Sequence, residues 1–182
     1  MPDVDELLPA EIMVTVTGVK DHLRLHSLQG REGLGLLFEY RLDLVNWDES
    51  DVVRNQLSAE GSLSPQALLG KDLTVTLPLA GGKTRIIHGL VTHAAFRASI
   101  DHHTAYAVTI RPELWLLTLS QNCRVFQGAT VPDVLKEILN DHGIGVPREA
   151  LSRPYRTWDT LTQYRESDFD FINRLLAHEG LY

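Results

Sequence analysis

Leu36-Leu-Phe-Glu-Tyr-Arg-Leu-Asp-Leu44 decides the reading of the N-terminal half. Leu36, Phe38, Tyr40, Leu42 and Leu44 stand two apart, and Glu39, Arg41 and Asp43 fill the gaps. A period of two sends alternate side chains to opposite faces, so the segment predicts a long strand with one buried and one wet face. The same pattern returns on either side. Ile12, Val14 and Val16 make a half-buried strand with Met13 as a misfit on its polar face, and Leu73, Val75, Leu77 and Leu79 make another. Ala80-Gly-Gly-Lys83 then turns the chain into Arg85–Val91, a hairpin with a four-residue loop. Tyr106, Val108 and Ile110 alternate after a polar turn spanning Ser99–Thr104. Many short strands joined by tight turns predict a sandwich or barrel, and a barrel is preferred because closure removes exposed edges.

The periodicity changes after Pro112. Leu114, Leu116, Leu117 and Leu119 flank Trp115 in a run that fits a short helix or a buried strand. Thr130 can cap a helix that buries Val131, Val134, Leu135, Ile138 and Leu139. Pro132 falls in its first turn and Gly143 at its stop. Residues 144–158 read as a loop and Leu161–Arg165 as a strand. A last helix starts at Ser167, with Asp170 completing a short capping box. It carries Phe171, Ile172, Leu175 and Leu176 as its apolar stripe, an Asp170–Arg174 pair, and Gly180 as its stop. Leu181 and Tyr182 open what reads as a further strand, so the chain is expected to be a fragment. The fold class is therefore mainly β (α+β): a small antiparallel barrel over residues 1–111 and a helix-containing segment over 112–182.

Composition narrows the function. The 182 residues carry a formal charge of −7, and both halves are acidic. A nucleic-acid binder needs a basic stripe to neutralise phosphates, and none of the three Trp residues stands in a basic patch, so no nucleic-acid partner is expected. No run approaches the ~20 apolar residues of a membrane span. The start, Met-Pro-Asp-Val-Asp-Glu, is acidic where a secretory signal is basic, which predicts a cytoplasmic chain without membrane binding. The single cysteine, Cys123, allows no internal disulfide and reads as a buried small hydrophobe.

Candidate sites are weak. His178-Glu179 begins an H-E-x-x-H zinc helix, but Tyr182 stands where the second histidine is needed. Asp101-His102-His103 would serve one metal ion only from a turn, since neighbouring strand residues face apart, and His88 and His93 lie in separate strand stretches. Gly30, Gly33 and Gly35 are spaced G-x-x-G-x-G and precede a strand, which reads as a loop using glycine for positive φ and not as a phosphate cradle. Asp48-Glu49-Ser50-Asp51 lacks the glycine and distal Glu of a calcium loop. No G-x-S-x-G elbow is present, and Cys123 has no local base. The residues alone point to no catalytic, cofactor or metal site. A small-barrel metal-dependent hydrolase using His102 and His103 is the alternative of another class.

One segment is more specific. Tyr164-Arg-Glu-Ser-Asp-Phe-Asp-Phe-Ile-Asn-Arg-Leu-Leu-Ala-His-Glu-Gly-Leu-Tyr182 closely resembles the signature of VgrG proteins, the spike hubs of type VI secretion systems. Leu68–Val75 with His88–Val91, Arg111–Leu117, and Arg124–Gln127 with Thr130–Leu135 agree with that family in the same order, over roughly residues 10 to 182. Hub proteins of contractile phage tails share the fold and are the close runner-up. The resemblance implies that residues 112–182 lead into a second barrel that is cut off. It also implies a homotrimer whose barrels form a pseudo-sixfold ring, adapting a hexameric Hcp-like tube to a trimeric spike within a baseplate. Export would follow by the contractile machine, without a signal peptide. Family members continue through a second barrel, an OB-like domain and a β-helical spike, so effectors and adaptors would act through regions outside this chain. Such a role needs no catalytic residue or cofactor. The signature residues Tyr164, Arg165, Glu166, Ser167, Asp168, Phe169, Phe171, Ile172, His178, Glu179 and Gly180 are then structural. Tyr164, Phe169, Phe171, Ile172 and Leu175 are expected in the core, and Arg165 is expected to hold a buried ion pair with Glu166 or Asp168.

Overall fold

A computed structural model describes residues 12–19, 23–46, 63–100, 103–146, 151 and 153–181. The chain divides into two compact units, one running to Pro112 and the other comprising residues 113–182 with the loop Gly33–Leu37. In the first unit, β1 (Met13–Val16), β2 (Leu23–Arg31), β3 (Glu39–Asn46), β4 (Asp72–Pro78), β5 (Thr84–Ile100) and β6 (His103–Arg111) form one sheet. Its order is β1-β4-β5-β6-β3-β2, with every pair antiparallel. The sheet curls as a half-barrel. A one-turn helix, α1 (Pro65–Leu68), packs Leu68 into the concave side.

The alternation read from sequence places the core. Tyr40, Leu42 and Leu44 of β3 are buried, and so are Leu73 and Val75 of β4 and Tyr106, Val108 and Ile110 of β6. Leu42 lies opposite Val108, and Leu44 opposite Tyr106, so inward rows continue from strand to strand. Removing each such side chain from water contributes ~1.5–3 kcal/mol. The pattern fails at its first residue. Leu36 is 71% exposed and sits in a bend before β3, because the ladder with β2 begins only at Arg31 and Glu39.

Two sequence readings stop short for a physical reason. Strand β5 runs on past Val91 to Ile100, and bulges between Val91 and His93 and between Phe96 and Ala98 break its alternation. Each bulge shifts the facing register and bends the strand, which helps the sheet curl. Gly30 belongs to β2 and not to a loop, and of Gly30, Gly33 and Gly35 only Gly35 has positive φ (68°). A Cβ on Gly30 would lie 2.0 Å from Tyr40 Cδ1 on the paired strand. Glycine is needed there for ring clearance. The ring cannot easily retreat, because Tyr40 Oη donates to Glu32 and accepts from Arg85 Nη2 at 2.9 Å.

In the second unit, Glu113–Thr118 forms a 3-10 turn that buries Leu117. Strand β7 (Gln121–Ala129) pairs antiparallel with β8 (Trp158–Ser167), and α2 (Val131–Asp141) and α3 (Asp168–Glu179) supply the helices. Their core joins Leu117, Phe126, Leu161, Val134, Ile138, Phe171 and others, with Phe126 stacked on Phe171 at 5.7 Å. Both helices start at the caps read from sequence, but the reciprocal box forms only on α2. Thr130 and Asp133 close a capping box on α2, and Ser167 Oγ accepts from Asp170 N at 3.0 Å on α3. Gly180 ends α3 in the left-handed region, where Leu181 N returns to Leu176 O.

Three expectations are corrected. Arg174 bonds Glu166 at 2.6 Å instead of Asp170, which is engaged by Ser167 Oγ. Cys123 is exposed, because it stands on the outward face of β7. Tyr164 is 65% exposed, because it faces Cys123 across the ladder on that same outward side. The acidic run Asp48–Asp51, His102 and Tyr182 lie outside the described residues.

Gly30→Ala is expected to lower the unfolding free energy by about 1–3 kcal/mol through overpacking against Tyr40. Urea denaturation of Gly30→Ala, alone and combined with Tyr40→Leu, measures this, and the double variant should recover part of the loss.

Candidate functional site

The most organised polar centre of the described residues surrounds Asp168, the first residue of α3 and wholly inaccessible to solvent. An ionised carboxylate in that position needs donors on all sides. Oδ1 accepts from Arg124 Nη2 at 2.6 Å, Gln163 Nε2 at 2.7 Å and Asn122 Nδ2 at 3.1 Å. Oδ2 accepts from His142 Nε2 at 2.7 Å and Ser120 Oγ at 2.9 Å. His142 therefore carries its proton on Nε2, since an ionised carboxylate can only accept. Burial pushes the Asp168 carboxyl up, but the hydrogen bonds from Gln163, Asn122, His142 and Ser120 outweigh it. The group is held well below its ordinary value of 3.8.

The five donors come from four parts of the unit. Ser120 precedes β7, Asn122 and Arg124 lie on it, His142 follows α2, and Gln163 is on β8. Arg124 extends the network, donating from Nε to Gln163 Oε1 at 3.0 Å and from Nη1 to Asp141 at 2.9 Å. Arg124 and Gln163 are register partners on the inward side, beside Phe126 and Leu161. The carboxylate thus ties both strands and both helices of the unit together. Its lone pairs are spent on these five donors.

A second buried carboxylate closes α3. Glu179 Oε1 accepts from Trp158 Nε1 at 3.1 Å, with Arg156 Nε at 3.5 Å and Arg153 Nη2 at 3.7 Å from the two oxygens. Arg153 also donates to the Glu179 carbonyl at 2.9 Å. The Arg156 guanidinium lies 3.3 Å from the centre of the Trp158 ring, and His178 meets that ring edge-on at 5.2 Å. Trp158 does stand beside arginines, against the sequence reading, because the loop before β8 folds Arg153 and Arg156 onto the end of α3.

The expected buried ion pair of Arg165 with Glu166 or Asp168 is overturned, and Glu166 is held by Arg174. Arg165 is exposed and stacks over Tyr164 at 5.2 Å, and Arg124 takes its place in the ion pair. Register explains the change. Asn122 pairs with Glu166 and Cys123 with Tyr164, so Arg165 is the extra residue of a bulge, with φ of 53°. Phe171 and Ile172 are buried, Phe169 is partly buried against the core, and Ser167 is the cap. Sequence reasoning missed Ser120, Asn122, Arg124, His142 and Gln163. The available signal was polar Arg124 and Gln163 at inward positions, two residues from Phe126 and Leu161.

Elsewhere, a cavity of about 320 Å³ is lined by Gln29, Gly30, Arg31, Glu39 and Arg41, where Glu39 is shared by Arg41 and Arg111. Among the described residues, no three His, Cys, Asp or Glu side chains converge as a metal group. His88 bonds Thr74 at 2.9 Å, His93 pairs with Thr109 across the ladder, and His103 opens β6.

Asp168→Ala is expected to cost about 3–5 kcal/mol in chemical denaturation, because it leaves the Arg124 charge and the inward amides without their acceptor. The pH dependence follows from the lowered carboxyl. Its stabilisation is complete above the unfolded value and is lost as pH falls toward the folded one. Melting temperature measured from pH 7 to pH 3 should therefore fall more steeply for the native chain than for Asp168→Asn. Arg165→Gly should raise stability by about 1 kcal/mol by relieving the left-handed backbone, whereas Arg165→Ala should gain nothing.

Comparison with known proteins agrees with this architecture. The chain is 42% identical to the type VI secretion system spike protein VgrG1c of Pseudomonas aeruginosa over 88% of its length, and 40% identical to VgrG1a of the same organism over 89%. It spans only 20% and 23% of those two proteins. Among solved structures, the E. coli c3393 protein superposes with a TM-score of 0.73 at 24% identity, covering 90% of this chain and 42% of that one. That protein is described as a component of the type VI secretion system with structural similarity to the T4 bacteriophage tail proteins gp27 and gp5. The 43 kDa tail protein of prophage MuSo2 from Shewanella oneidensis gives a TM-score of 0.56 at 14% identity, covering 91% of this chain and 48% of that one. Residues 31–182 match the family model described as phage tail baseplate hub (GPD), and the chain belongs to that family.

Proposed function

We infer that this chain is the N-terminal hub region of a type VI secretion spike. The observation that carries the reading is the 42% and 40% identity to two spike proteins across nearly nine-tenths of the chain. In the whole protein, three copies form a ring that meets a hexameric Hcp-like tube on one side and a trimeric spike on the other, within a baseplate. The hub does this by shape and stiffness. A half-barrel sheet with continuous inward rows and a unit locked by Asp168 are supports for such a part. We assign no catalysis to this chain. Effectors and adaptors engage regions beyond it, assembly takes place in the cytoplasm, and the contractile machine carries the protein out. No helix of the described residues is long and apolar enough to cross a membrane.

A second reading, the baseplate hub of a contractile phage or prophage tail, is favoured by the family model and by the likeness to a prophage tail protein. The test is to read the gene past the codon for Tyr182 and express the whole product. It is then mixed with rings of the secretion tube protein and, separately, of a phage tail tube. A trimer by native mass that caps secretion-tube rings is the expected result. Capture of phage rings alone would move the assignment to the phage tail. A stop at codon 183, or a monomer that binds neither ring, would remove the hub reading.

A further inference from the structure

The loop before β8 alternates arginine with aromatic rings in Arg153-Pro-Tyr-Arg-Thr-Trp158. A guanidinium lies over each ring: Arg153 lies 5.0 Å from the centre of Tyr155, and Arg156 lies 3.3 Å from that of Trp158. Two positive charges meet the single carboxylate of Glu179, so the cluster keeps a net charge of +1 within a chain of net charge −7. Both arginine side chains remain accessible, 59% and 55%, while Glu179 beneath them is 7% accessible.

Stacking determines what such a surface can take. A guanidinium lying flat on a ring spends its face and keeps its edge, and that edge is the two-pronged donor that fits a carboxylate. Arg153 Nη2 and Arg156 Nε point to Glu179, and among the described residues no acceptor meets their other N–H groups. Stacked arginines are also held in place beforehand, so binding costs less side-chain entropy.

We propose that Arg153 and Arg156, stacked on Tyr155 and Trp158 over Glu179, form a docking site for a carboxylate-bearing, Asp/Glu-rich segment of a partner protein. Charge complementarity selects this occupant. Nucleic acid fits less well, because two arginines neutralise few phosphates against the repulsion of an acidic chain.

The probe is a fluorescein-labelled Asp/Glu-rich dodecapeptide titrated into the chain, with a Ser/Gly-rich dodecapeptide and a single-stranded oligonucleotide of equal charge as comparators. The acidic peptide is expected to bind, more weakly as salt rises. Arg153→Gln combined with Arg156→Gln is expected to weaken it at least about tenfold, while Arg174→Gln on α3 changes it little. Chemical-shift mapping on the native chain does not depend on the variants folding. The Arg153 and Arg156 Nε–H signals and the Trp158 indole signal should move on adding the peptide. Absence of binding, shifts confined to other residues, unchanged affinity in a folded double variant, or tighter binding of the oligonucleotide through the same arginines would each overturn the proposal. None of these results bears on ring assembly, so failure here leaves the hub reading standing.

Discussion

A carboxylate sealed from water is tolerable only if protein groups replace every water it has lost. Asp168 meets that condition through donors from both strands of its unit, from the end of α2 and from Ser120 before β7. The arrangement is demanding, since a shift of α2 or of the β7–β8 ladder would leave some of these groups unsatisfied in a low-dielectric setting. Apolar packing of Phe126, Phe171, Ile138 and Leu161 supplies the bulk of the cohesion. It is the polar centre that selects one relative placement of these elements, because hydrophobic contact is nearly indifferent to small rotations and hydrogen bonds are not.

The first unit reaches definition by another route. Its inward rows are almost wholly apolar, and order comes from register across an all-antiparallel sheet. Polar anchoring appears at one end, where Glu32, Tyr40 and Arg85 join segments distant in sequence. The absence of a side chain at Gly30 is as specific a requirement there as the presence of one at Tyr40. One unit thus depends on a saturated charge, and the other on an aromatic ring admitted by a glycine.

Much of this was legible in the residues. Alternation found Tyr40, Leu42, Leu44, Leu73, Val75, Val108 and Ile110, because a sheet with one wet face writes a period of two into its strands. Thr130 and Ser167 declared their helices, since a cap is a local bond between near neighbours. The partner of Asp168 was not legible, because Arg124 lies 44 residues away and only the fold brings it near. Arg165 looked eligible by proximity, and a single bulge turned it to the outside. The second half of β5 was hidden for a related reason, since bulges erase the very alternation that reveals a strand.

The lone thiol has a practical meaning. Cys123 stands on the outward face of β7, across from Tyr164 and away from the packed side of the ladder. Maleimide chemistry would therefore deliver one dye or spin label to one known place, with the fold's interior undisturbed. Its brightness or mobility would report when another surface covers that face, and a mild oxidant would tether two copies there. The molecule comes with a single attachment point already installed.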